Sequence, residues 1–329
     1  MNFRLTFPIT PLSPSARYTD RFLLLGSCFA EEMGELLHQH KFRVTQNPHG
    51  LLYNPLSITQ ALQSYLDGKV YTAEDLFLHD GLWHSWAHHS RFSAATPEAA
   101  LEKIHAAQQA AVELIEKADW LVITLGTAFS YQLKESGRPV ANCHKVPAAA
   151  FNKKMLTADE IITALDNAMH RLFFRNRKVR ILFTVSPVRY VRDGVVENNL
   201  SKAILLQAVH HMVHKFERLY YFPAYELVID DLRDYRFYKE DLVHPNAMAV
   251  QYVWEQFSRY ALAPAELALL HAVQELRQAA AHRPFNPETP QHAQFLARYA
   301  QKTAALQAAH PFLDLAAEAA YFNGADHRK

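Results

Sequence analysis

Cysteine is almost missing from this chain: among 329 residues only Cys28 and Cys143 occur. Two thiols cannot build a disulfide framework, and they are too few for a cysteine-rich zinc module. An excess of either charge is also missing. Lys plus Arg total 34, Asp plus Glu total 33, and the net charge is +1. That balance gives no bulk attraction to nucleic acid or to an anionic membrane, and neither is expected as a partner. No apolar run approaches the roughly 18 residues that a membrane span needs. The opening residues, Met1 to Pro11, lack the apolar centre of a secretory leader, so none is expected. A reducing cytoplasm is the expected compartment. No internal repeat or low-complexity tract stands out.

What the chain does have is core-forming material. Hydrophobic residues make up 50% and charged residues 20%, which excludes wholesale disorder. The length fits one large α/β domain or one domain with an appendage.

Arg21 to Ala30 opens as an apolar run bounded by Gly26, the signature of a buried strand. A helical face follows at once in Phe29, Met33, Leu36 and Leu37. Phe42–Thr45 reads as a second strand, and Pro55 opens a helix carrying Ile58, Leu62, Tyr65 and Leu66. Residues 70–95, with Trp83, Trp86 and four histidines, are long enough to be an insertion over the sheet. Thr96-Pro97 starts a long helix, a cap residue followed by proline at the first helical position. Gln108 interrupts its apolar stripe. Trp120–Leu125 is a third strand. Thr157 with Glu160 forms a capping box ahead of the next helix. Val179–Val185 is a fourth strand, Asn199–Tyr220 a helix, Tyr225–Asp230 a fifth strand and Pro245–Ala261 a helix. Five strands alternating with helices predict a three-layer α/β/α, doubly wound parallel sheet over residues 1–262. Residues 263–329 are Ala-rich, carry no strand signal, and read as a helical C-terminal extension. It is expected either to pack on the core or to serve assembly, including a homo-oligomer.

Ligands of open α/β sheets bind beyond the carboxyl ends of the strands. Those ends hold Ser27 and Cys28, Asn47 to Gly50, Gly126 and Thr127, and Ser186 to Arg189. Asp241 and His244, beyond the fifth strand, are three residues apart and can share one turn. The carboxylate then accepts from one ring nitrogen while the other faces a nucleophile. Pro245 favours an extended backbone at His244. Asp-x-x-His is weak alone, since the chain has 19 histidines. Ser27 supplies a partner. At a strand-to-helix turn its hydroxyl lies near unsatisfied N–H groups and the positive end of a helix dipole. The plain alternative is a helix cap, the commonest role of serine there. Taken with Asp241 and His244, the balance favours catalysis.

The sequence Gly-Ser-Cys-Phe-Ala at 26–30 resembles the signature of the GSCFA family. The resemblance continues through Asn47-Pro-His-Gly50, Tyr53-Asn-Pro55, Trp83-His-Ser-Trp86 with His88-His-Ser90, and Leu125-Gly-Thr-Ala128. It extends to Asn142-Cys-His-Lys145, Val196-Glu-Asn198, Ser201-Lys202 and Asp241 to Pro245. That family looks like a branch of the SGNH, or GDSL, hydrolases, esterases and acyl hydrolases on a flavodoxin-like sheet. The resemblance implies Ser27 as nucleophile, His244 as base and Asp241 as its partner. It implies an oxyanion hole from the N–H groups of Ser27 and Gly50 and an asparagine after the third strand. Here that position departs from the pattern: Thr127 and Ala128 follow Gly126. Thr127, or Asn142 or His144 from the next loop, is the expected substitute.

Individual residues have rival readings. Cys28 is an alternative nucleophile, but its side chain is expected to turn into the core. Asn47 belongs with the site-lining residues of the second loop. His88 and His89 are read as pocket-lining or structural; as neighbours they point apart, so at most one joins a site. His144 with Lys145 is placed to meet an anionic or hydroxylated substrate, or else forms a hydrogen-bonded turn. Arg189 offers a planar fork to a carboxylate or phosphate, or makes a surface ion pair. His210 and His214, at i and i+4, read as a solvated helix face; no metal and no cofactor are expected.

The leading expectation is a serine esterase or acyl hydrolase acting on a small or carbohydrate-like ester. An acyltransferase using the same serine is the second. A non-catalytic ligand-binding or assembly module on a hydrolase fold is the third, since fold does not fix function.

Overall fold

The computed structural model describes residues 4–324. In chain order its elements begin with β1 (Arg21–Gly26), α1 (Cys28–Gln39), β2 (Arg43–Gln46) and α2 (Pro55–Leu66). The hairpin β3 (Leu76–His79) and β4 (Leu82–Ser85) precedes α3 (Pro97–Ile115) and β5 (Trp120–Leu125). Then come β6 (Phe129–Leu133), β7 (Pro139–Val140), β8 (Phe151–Met155), α4 (Ala158–Arg175) and β9 (Arg180–Val185). α5 (Val195–Lys215), β10 (Leu219–Tyr221), α6 (Ala224–Glu226) and α7 (Ala247–Ala261) complete the α/β part. α8 (Pro264–Ala281), α9 (Pro290–Ala309) and α10 (Ala316–Phe322) follow.

Five strands pair in parallel in the order β2-β1-β5-β9-β10. Numbered along the chain this is 2-1-3-4-5, the flavodoxin-like doubly wound order. Side chains alternate across it. Phe22, Leu24, Trp120, Val122 and Leu182 meet α1 and α7 on one face. Leu23, Leu25, Leu121, Ile123, Phe183 and Val185 meet α2 to α5 on the other. Both faces are thus covered, which is why the strands read as continuous apolar runs.

Caps fix where the helices begin. The Asn54 side chain accepts from the Ser57 N–H at 2.9 Å, and Thr96 accepts from the Ala99 N–H at 3.2 Å. The Thr157–Glu160 capping box forms. Gln108, the polar break in α3, is buried and donates to the Ser64 and Lys69 carbonyls at 3.0 and 3.2 Å.

The fifth strand is not where periodicity put it. Pro223 stops the sheet, and Leu227–Asp231 winds into a π-turn whose Leu232 N–H reaches the Leu227 carbonyl at 3.0 Å. Leu227 and Val228 are buried in this helical form, and a short buried apolar run cannot reveal which form it takes. The true edge strand, Leu219–Tyr221, is the segment expected to end the preceding helix. Residues 126–157, where only a polar loop stood out, form a small antiparallel sheet, β7-β6-β8. Residues 70–95 form the β3–β4 hairpin and short turns beside α3.

The C-terminal helices pack on the core. Leu269, Leu270, Val273, Leu276, Leu313, Leu315 and Phe322 are buried in the same cluster as Phe22, Leu24 and Trp254.

Candidate active site

The strand ends converge as the doubly wound topology requires. A cavity of about 510 Å³ opens there, lined by Ser27, Cys28, Leu51, Tyr53, Gly126, Thr127, Ser186, Val188, Arg189, Tyr190 and His244.

Ser27 reaches this cavity because β1 approaches β5 closely. Gly26 has φ +147°, and a Cβ on it would sit 2.3 Å from the Thr124 carbonyl oxygen. Only glycine fits, and the chain turns directly into α1. Ser27 stands at the cap position of α1, yet its side chain makes no capping bond. Its hydroxyl is buried and, among the described residues, has no hydrogen-bond partner. The cap alternative therefore fails: the hydroxyl is held beside the helix N-terminus without being used by it.

His244 enters from the opposite rim on a folded-back segment. The Lys239 N–H donates to the His244 carbonyl at 2.8 Å, and Asn246 ties back to the carbonyls of Arg236 and Tyr238. Asp241 Oδ1 accepts the N–H groups of Val243 and His244 at 2.9 and 3.0 Å, and Oδ2 meets His244 Nδ1 at 2.7 Å. These bonds to the ionised form hold the Asp241 carboxyl far below the ordinary range. With Nδ1 committed to Asp241, Nε2 is left for other chemistry. No hydrogen bond joins Ser27 to His244, although both line the cavity. Pro245 precedes α7, whose cap is Asn246.

Cys28 corrects an expectation. It lines the cavity and is only part-buried, rather than turned into the core. Burial first, and then Glu32, push its thiol pKa up, which disfavours the thiolate that a cysteine nucleophile needs. Among the described residues Arg189 forms no carboxylate ion pair; it donates to the Leu242 carbonyl at 2.8 Å, with its guanidinium 4.2 Å from the Tyr238 ring centre. It fastens the segment that carries Asp241 and His244.

The expected oxyanion donors divide. Ser27 and Thr127 line the cavity, whereas Gly50 and Asn142 do not. The Gly50 N–H donates to the Asn47 carbonyl at 2.7 Å. Asn142 Oδ1 accepts from the His144 N–H at 2.9 Å. The N–H groups of Gly126 and Thr127 both go to the Tyr53 carbonyl, at 2.8 and 2.9 Å. Thr127 Oγ1 lies 3.1 Å from Ser201 Oγ.

Asn47, His88, His89 and His144 lie away from the cavity. Asn47 is fully buried and accepts the Gly26 N–H at 2.9 Å, so it braces the turn that carries Ser27. His88 stacks on His49 with ring centres 4.1 Å apart. His49 in turn contacts the Tyr65 and Tyr71 hydroxyls at 2.7 and 2.9 Å. His89 packs over Gly50, and His144 Nε2 contacts the Ser85 carbonyl at 2.8 Å. Burial lowers the pKa of each of these histidines, to about 3 for His49 and about 4 for His144. His49 and His88 pack among Tyr65, Tyr71 and Phe92, and His144 against Phe77 and His84. His210 and His214 have ring centres 6.2 Å apart. Among the described residues no group of three or more His, Cys, Asp or Glu is placed to hold a metal ion, and no helix is long and apolar enough to cross a membrane.

Sequence reasoning assigned Lys202 no role. It is fully buried, on the face of α5 shared with Asn198, Ser201, Leu205 and Val209. A lysine continuing an apolar helical stripe was the available signal.

Ser27 and His244, the latter bonded to Asp241, thus lie at the carboxyl edge of an open parallel α/β sheet. The chain belongs to the GSCFA family: residues 21–257 match it, and residues 273–327 match the GSCFA domain protein, C-terminal domain. No curated protein matches the chain. Solved structures similar to it include a carbohydrate esterase family 3 from Talaromyces cellulolyticus, at 10% identity and a TM-score of 0.38. The match covers 78% of this chain and 99% of that one, and at that likeness it carries no weight for function.

Proposed function

We propose that the protein is a serine-dependent acyl hydrolase of the SGNH type, acting on a small ester. The observation that supports this most is the Ser27 hydroxyl, buried and unpartnered at the start of α1, in a cavity that His244 also lines. Burying a hydroxyl without a partner costs about 1–3 kcal/mol, a cost consistent with a group kept free for chemistry. His244, oriented by Asp241, supplies the base.

Reaction requires Ser27 and His244 to come within hydrogen-bond reach, and such bonds commonly tighten only when substrate is present. The Ser27 oxygen attacks the acyl carbon as its proton passes to His244 Nε2. The C–O bond to the leaving alcohol breaks, and the alcohol takes that proton. Water, deprotonated by His244, then attacks the acyl-serine and releases the acid, and the proton returns to Ser27. The first-turn N–H groups of α1 face the developing oxyanion. Leu51, Tyr53, Val188 and Tyr190 give the cavity an apolar, aromatic wall suited to an acyl chain or a sugar face.

Turnover of 4-nitrophenyl acetate tests the reading. Native protein is expected to hydrolyse it with saturation, and Ser27→Ala to fall to the buffer rate. Equal rates for the two proteins would overturn it.

A further inference from the structure

Lys202 Nζ donates to the carbonyl oxygens of Gly126 and Ser186, each at 2.6 Å. These carbonyls lie just past β5 and β9, and both residues line the cavity that holds Ser27. The same face of α5 makes two more ties. Asn198 Oδ1 accepts the Tyr190 N–H at 2.8 Å, and Ser201 Oγ accepts the Ala128 N–H at 2.8 Å. One helix face thus sets the back wall of the site, and Lys202 is the member that brings a charge.

A charge is an expensive way to join two carbonyls. Amide or hydroxyl donors could bridge them, whereas a buried ammonium carries a large desolvation cost unless it is compensated. Among the described residues Lys202 forms no ion pair with a carboxylate. The titratable group that faces it is Cys28, on the first turn of α1, while His244, Arg189, Tyr53 and Tyr190 line the cavity beyond. Its field reaches the start of α1, where it opposes the upward push on the Cys28 thiol. Anionic charge develops beside that thiol, at Ser27, only during reaction. Lys202 is not placed as the base: its ammonium donates to the Gly126 and Ser186 carbonyls and has no lone pair to take a proton.

We propose that Lys202 is a positioning residue of the active site: its ammonium pins the strand ends beside Ser27 and supplies the positive charge that favours the oxyanion formed there. This rests on Ser27 being the nucleophile. It also accounts for the sparse donor set, with Gly50 engaged elsewhere and threonine, not asparagine, directly after Gly126. Burial brings the Lys202 pKa down to about 7. The charged form prevails below that value and is lost above it.

The test is the second-order rate of phosphonylation of Ser27 by an alkyl fluorophosphonate, measured across neutral and alkaline pH. Native protein, Lys202→Met and Lys202→Gln are compared, with thermal melting to verify the fold and kcat and KM on 4-nitrophenyl acetate. The native rate is expected to fall on an alkaline limb as Lys202 deprotonates. Lys202→Met is expected to react roughly 100-fold more slowly, to lose that limb, and to change kcat far more than KM. Lys202→Gln keeps N–H donors without charge and is expected to be slow as well. A folded Lys202→Met with the native rate and pH profile would overturn the inference alone. If neither variant folds, a native profile with no alkaline limb overturns it. Native protein unlabelled at Ser27 removes the nucleophile reading and this inference with it.

Discussion

Asp241 holds His244 by ring and backbone together: one carboxylate oxygen meets Nδ1 at 2.7 Å while the other accepts the His244 N–H at 3.0 Å. The three-residue spacing therefore does two jobs, fixing both the tautomer and the turn. Asp241→Asn keeps the shape but puts an amide where Nδ1–H must donate, which reverses the tautomer. We expect its kcat on 4-nitrophenyl acetate to drop at least ~100-fold with little change in melting temperature. Because the native pKa of Asp241 lies below the unfolded one, its contribution to stability is present above the ordinary carboxylate range and is lost as pH falls below it. A native-like kcat in Asp241→Asn would dismiss the pair as a surface contact.

Gly26 and Gly68 make a paired test of the turn before Ser27. Both have positive φ, but a Cβ at Gly26 meets the Thr124 carbonyl at 2.3 Å, whereas at Gly68 nothing lies within 4 Å. Gly68→Ala is expected to cost about 1 kcal/mol from backbone strain alone. Gly26→Ala should cost several kcal/mol, in the range reserved for overpacking and strain together. Urea unfolding of the two variants reads this directly, and equal costs would mean that β1 and β5 separate easily.

Much of the site was legible because it follows from topology. Once strands and helices alternate, the residues after the strands share an edge, and Ser27, Thr127 and Arg189 do share a cavity; His244 reaches it too, although the strand expected before it is a π-turn. What misled was chemistry without depth. His88 and His144 are reactive types on polar segments, but His49, Tyr71 and Phe92 enclose the first and Phe77 and His84 the second, and nothing local in the sequence signals which face is sealed. Gly50 has the expected residue type, and its N–H is consumed by the four-residue turn from Asn47 to Gly50. Lys202 was passed over for the opposite reason: lysine is almost always solvated. Its position on the stripe with Leu205 and Val209 outweighed that habit.

The buried histidines should make the fold acid-sensitive. Burial brings His49 down to about 3 and lowers His88 as well, whereas the unfolded chain takes up protons from about pH 6.5 downward. With native pKa values lowered, stability falls as pH drops through that window, by up to roughly 1.4 kcal/mol per pH unit for each fully buried ring. His40, brought down to about 4 by burial, adds to the same slope. Urea midpoints at pH 7.5, 6 and 5 should decline, and His49→Phe should flatten the decline. A midpoint unchanged between neutral pH and 5 would show that these rings are hydrated.

Removing the C-terminal helices tests whether they are a separable unit. Val273, Leu276, Leu315 and Phe322 are buried in the cluster that holds Phe22, Trp120 and Trp254. His40 stacks on Trp254, and Arg277 and the Lys41–Glu318 ion pair, at 2.8 Å, seal the edge of α1. Fully burying one such apolar side chain is worth about 1.5–3 kcal/mol. Some of this lies among the three helices themselves, but a few contacts across the boundary already match the 5–15 kcal/mol that a typical domain has in total. A chain ending at Leu262 is therefore expected to be aggregated or molten, without a cooperative thermal transition. It would bare Trp254, whose emission should move to longer wavelength. A soluble, cooperatively melting 262-residue fragment would instead mark residues 263–329 as a detachable appendage.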